Sequence, residues 1–111
     1  MATLSSHLLN SVNGTHAKNV DVIIYQIKSN GEKKVFCEDK TDSGGRLLKK
    51  FKLNDEDCKS EYEMVCKTGD YFSEKKIISE IIVKFKMPDP NKKYHIPIII
   101  SPNGYSIWWS D

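Results

Sequence analysis

Four side chains in this sequence are suited to moving protons and holding charge: His7, His16, His95 and Arg46. An imidazole titrates near neutrality and can take a proton from water without a cofactor. A guanidinium is a permanently charged planar fork that lysine does not imitate. Arg46 is the single arginine among 17 basic residues and follows directly on Gly44-Gly45. Taken singly, each has a structural alternative: a surface or satisfied histidine, or a solvated arginine. No two histidines stand at i,i+2 or i,i+4, so the spacing argues against a zinc site. Phosphate-binding loops, dinucleotide fingerprints and nucleophilic serine elbows are also missing, and Gly44-Gly45 reads as a turn.

The elements that must carry these residues are short and alternate between polar and apolar positions. The pattern predicts strands over residues 3–9, 20–27, 34–41, 46–53, 61–67, 80–87, 94–101 and 105–109. Breaks fall at Asn13-Gly14, Ser29-Asn30-Gly31, Asp42-Ser43-Gly44-Gly45 and Pro102-Asn103-Gly104. One short helix is expected over residues 71–79, with Ser73 as its N-cap. Strand alternation puts Ser5, His7 and Leu9 on one face, and His95 with Pro97 and Ile99 on another. Seven or eight strands with one helix predict a single domain over residues 1–111, an all-β, mainly antiparallel sandwich.

Composition narrows the function classes. The 111 residues suffice for one hydrophobic core. A formal net charge of +2, from 17 basic and 15 acidic residues, is too balanced to favour nucleic acid or an anionic membrane as partner. Apolar runs are far shorter than a membrane span. The first ten residues lack the basic and apolar regions of a secretory leader. Cys37, Cys58 and Cys66 are odd in number and show no CxxC spacing, so free thiols are expected. Together these features predict a cytoplasmic protein.

Longer blocks go further. The segment YHIPIIISPNGYS (residues 94–106) resembles the C-terminal block of the transthyretin-like family, specifically its 5-hydroxyisourate hydrolases. LSSHLLN followed by NGTHAKNVDVIIYQI resembles the N-terminal strand and hairpin of that family, with His7 at its first catalytic histidine. TDSGGR resembles the T-N-x-D-G-R element, and TGDYFSE the strand-to-helix junction. The ordered blocks span about residues 4–106.

The resemblance implies a transthyretin-like β-sandwich, assembled as a homotetramer with active sites in a channel where two dimers meet. It implies hydrolytic opening of the 5-hydroxyisourate ring in urate breakdown, without metal or other cofactor. His7, Arg46 and His95 would be the catalytic set, one histidine activating water and Arg46 holding the developing charge. His16 stands where the family usually has proline, and reads as a tolerated loop substitution.

The hydrolases of the family end in Y-R-G-S, whereas this chain ends Trp108-Trp109-Ser110-Asp111. Alternation places Ser106, Trp108 and Ser110 on one face, as candidate substrate contacts, and Trp109 on the other. The altered ending leaves an alternative open: a non-catalytic tetramer binding a planar small molecule in its central channel.

Overall fold

Alternation along the first ten residues has a direct structural counterpart. In a computed structural model, which describes residues 1–72 and 77–109, strand β1 (Ala2–Asn10) buries Ala2, Leu4, Ser6, Leu8 and Asn10. Thr3, Ser5, His7 and Leu9 take the outer face of the same strand. On one side β1 pairs in parallel with β8 (Lys93–Ser101). On the other it pairs antiparallel with β5 (Arg46–Phe51) along its first part and with β2 (Thr15–His16) at its end. β9 (Gly104–Ile107) adds to the far side of β8 and completes a five-stranded sheet.

The second sheet has the order β4 (Lys33–Lys40), β3 (Asp21–Ile27), β6 (Glu61–Cys66), β7 (Ile81–Lys86), with every pairing antiparallel. The core lies between the sheets, where Leu4, Leu8, Ile98 and Ile100 of the first share one buried cluster with Val22, Ile24, Tyr62 and Met64 of the second. Each such side chain contributes about 1.5–3 kcal/mol by leaving water, so the inner face of β1 is pinned. Pairing partners on neighbouring strands share a face, and pinning the inner face therefore also fixes what the outer face presents.

Two short helices complete the described residues. Helix α1 (Asp55–Lys59) is closed by a capping box in which Asn54 and Asp57 satisfy each other's backbone amides. The Tyr62 hydroxyl donates to the Asp57 carbonyl (2.7 Å), tying the helix to the core. Helix α2 (Thr68–Tyr71) is a single turn.

The sandwich agrees with the expected fold class, with four differences. The β1–β8 pairing is parallel, which strand patterns do not reveal because pairing is non-local. Of the helix expected over 71–79, only Tyr71 is helical among the described residues, as the end of an earlier turn at Thr68–Tyr71, while Phe72 and Ile77–Glu80 are not. Its expected N-cap, Ser73, lies outside the described residues. Helix α1 was not expected at all, and β2 brings the described strands to nine.

Candidate active site on the outer face of the five-stranded sheet

Register builds the site. His7 pairs with Arg46 on β5 and with Pro97 on β8, so these three share a row across the outer face. One step along, Ser5 pairs with His95. Three strands, β1, β5 and β8, thus deliver His7, Arg46 and His95 to neighbouring positions. Past the end of β9, the Trp108 amide donates to the Pro97 carbonyl (3.4 Å), continuing the β8–β9 register by one residue. That sets Trp108 two strand spacings from His7 in the same row, about 10 Å away. Ser106 pairs with Ile99 on this face. Ser110 and Asp111 lie outside the described residues.

Trp109 falls on the opposite side, its ring 5.9 Å from that of Tyr94 and 5.2 Å from Lys92 Nζ. Trp108 and Trp109 also border an apolar cleft of 410 Å³ at the open edge between the sheets, walled by Val83, Phe85, Tyr94 and Ile96.

The approach to Arg46 is a tightly bonded turn. The Asp42 carboxylate accepts from the Gly44 and Arg46 amides, both at 2.9 Å. The Gly45 amide donates to the Asp42 carbonyl (2.9 Å), and the Leu8 amide to the Gly45 carbonyl (2.8 Å). Gly45 has φ +72°, and a Cβ there would lie 2.5 Å from the Leu8 carbonyl oxygen and 3.1 Å from His16 Cβ. Glycine is therefore required both by conformation and by space.

These amide bonds, the Arg46 one foremost, together with the Arg46 guanidinium, hold the Asp42 carboxyl below its ordinary 3.8. A carboxyl depressed on folding stabilises the folded form above its ordinary value, and loses that contribution as pH falls through the lowered one. Hydrogen exchange of the Gly44 and Arg46 amides should therefore stay protected at pH 3.8 and lose protection only below it. Loss of protection already at pH 5 would show that the carboxylate does not hold the turn.

The two strand histidines have different surroundings. His95 Nδ1 lies 2.8 Å from Ser5 Oγ, which fixes the ring and leaves Nε2 to the outer face. His7 Nε2 lies 2.9 Å from Nδ1 of His16. Burial, then the positive charge of Arg46, lower the pKa of His7 from 6.5; the neighbouring histidines act in the same sense and a backbone hydrogen bond to Gly44 opposes them. His7 is thereby a neutral imidazole at pH 7, the form that can accept a proton. Among the described residues no three His, Cys, Asp or Glu side chains are grouped to hold a metal ion.

The sequence reading missed Ser5 and Asp42 as supports, and placed His16 in a loop. His16 is instead in β2, opposite Leu9 and on the face of His7. The Asn13-Gly14 hairpin signal, counted through to the next strand, would have put it there.

Comparison with known proteins places the chain among its relatives. Residues 4–109 match the HIUase/Transthyretin family. A 5-hydroxyisourate hydrolase from Salmonella typhimurium is 34% identical, over 95% of this chain and 78% of its own length. One from Halalkalibacterium halodurans is 29% identical, over 95% and 94%. Among solved structures, Klebsiella pneumoniae 5-hydroxyisourate hydrolase superposes with a TM-score of 0.77 at 22% identity over the full length of both chains. (S)-allantoin synthase gives 0.82 at 22% identity, over 99% of this chain and 44% of that one. Those two likenesses concern the fold, whereas the match over residues 4–109 and the Salmonella relative settle descent: this chain belongs to the HIUase/transthyretin family.

Proposed function

We propose that this chain hydrolyses 5-hydroxyisourate, opening its ring in urate breakdown, and that His7, Arg46 and His95 carry the reaction. The observation behind this reading is their delivery to adjacent positions on one sheet face from β1, β5 and β8. The names of the related hydrolases support the choice of substrate.

His7, held neutral by burial and by Arg46, takes a proton from water. The resulting hydroxide adds to the ring carbonyl. Arg46 holds the oxyanion through its fork, the task for which a planar donor pair is suited. His7 then returns its proton to the leaving nitrogen as the C–N bond breaks, while His95, anchored at Nδ1 by Ser5, donates a hydrogen bond from Nε2 to the substrate. Ser106, Trp108 and Ser110 are assigned to the substrate, with Trp108 stacking on its planar ring.

On a lone chain this face is open, with His7 half-buried and Arg46 exposed. Excluding water from the reaction calls for a second sheet above it, which the proposed homotetramer supplies. The reading places the site in one domain of a cytoplasmic protein. Among the described residues, no helix is long and apolar enough to cross a membrane.

The test is the decay of freshly generated 5-hydroxyisourate with and without the purified protein. Acceleration over background is expected, with the acid limb of kcat/KM below pH 6.5 because the base is depressed. An unchanged decay rate from a folded tetramer would remove the hydrolase reading. Quenching of tryptophan fluorescence by planar ligands, without turnover, would then favour a carrier.

A further inference from the structure

The Nε2 edge of His7 meets another imidazole. His16 Nδ1 stands 2.9 Å away, and the two rings meet edge to edge with 5.0 Å between centroids and 22° between planes. The backbone beneath His16 is held from several directions. Thr15 is bound through its amide and hydroxyl to Asn13 Oδ1, at 3.1 and 2.6 Å. Gly14 donates to the Asn10 carbonyl and Ala17 to the Leu8 carbonyl, both at 2.9 Å. Gly45 lies directly against His16 Cβ. The His16 backbone is thus set by the hairpin and the Gly45 turn.

Two imidazole nitrogens at this distance share one proton, one donating and the other accepting. Whichever ring donates, the contact at Nε2 holds neutral His7 in one tautomer: Nε2 carries the proton where His7 donates and the lone pair where it accepts.

We propose that His16 is a positioning residue for His7: through the contact at Nε2 it fixes the ring plane and holds neutral His7 in a single tautomer. This rests on the reading of His7 as the base. The charged and titratable groups facing the pair are Arg46 from β5, His95 from β8 and Asp42 from the turn before β5. None of these offers His7 Nε2 the hydrogen bond that His16 makes.

The experiment combines histidine side-chain NMR on the free protein with turnover of 5-hydroxyisourate. Wild-type His7 should be a single tautomer. His16→Ala should give mixed His7 tautomers and a kcat about tenfold lower with KM little changed, as expected for a misoriented base. His16→Asn, whose side-chain amide offers both a donor and an acceptor to His7 Nε2, should restore the single tautomer and most of kcat. If His7 keeps the same tautomer in wild type and His16→Ala, the inference is overturned whatever the activity. Equal kcat in wild type and His16→Ala overturns it while leaving the hydrolase reading standing. A tautomer change on His16→Ala in a protein that does not hydrolyse 5-hydroxyisourate supports the positioning and removes only the hydrolase reading.

Discussion

His7→Ala is expected to lower kcat/KM for 5-hydroxyisourate by about a thousandfold, within the 10²–10⁴ range of a lost general base. The side chain lies on the outer face, away from the cluster between the sheets, so thermal unfolding should be nearly unchanged. Arg46→Ala should cost about 10²–10³-fold, the usual effect of removing a donor to a developing oxyanion. Arg46→Lys should recover little of it, because a point charge does not supply two parallel hydrogen bonds. Activity within twofold of wild type for His7→Ala, measured at pH 7 on a folded protein, would take His7 out of the mechanism.

Gly45→Ala should have the largest effect on stability of any change at the site. Its φ of +72° costs a side-chain residue about 1–2 kcal/mol. A Cβ 2.5 Å from the Leu8 carbonyl oxygen also forces the backbone of β1 or of the turn to move. The sum, roughly 2–4 kcal/mol, corresponds to a melting temperature lower by about 10 °C or more. Gly14→Ala is the control. Its φ is +74°, but nothing stands within 4 Å of the added Cβ, so only the conformational cost remains. Equal losses for the two variants in a thermal melt would mean that close approach at Gly45 is unimportant. Since Gly45 precedes Arg46 and abuts His16, Gly45→Ala should also impair turnover in whatever fraction stays folded.

The legible part of this molecule was the part with period two. Ser5, His7 and Leu9 share the outer face of β1 because Leu4, Ser6 and Leu8 are drawn inward, and that alternation is visible in the residues themselves. The same holds for His95 between Tyr94 and Ile96. Which strands lie side by side was not legible from pattern. The likeness to a known family suggested that His7, Arg46 and His95 belong together, and the register shows how they meet. Helix α1 was overlooked because five residues carry no apolar period; its signal lay wholly in the Asn54–Asp57 cap. His16 was misread for a related reason: a two-residue strand has no alternation to show, and only its hairpin partner gives it a face.

The parallel β1–β8 pairing joins Ser5 to His95 across 90 positions of chain. During synthesis at about 5–20 residues per second, β1 leaves the ribosome roughly 5–18 s before its central partner exists. In that interval β5 can pair with one edge of β1, while the other remains an open row of amides and carbonyls beside apolar side chains. Such an edge invites pairing with a second nascent chain. The protein therefore meets its greatest risk of aggregation before it is complete, and the arrival of the segment bearing His95 both closes that edge and brings His95 beside His7 and Arg46.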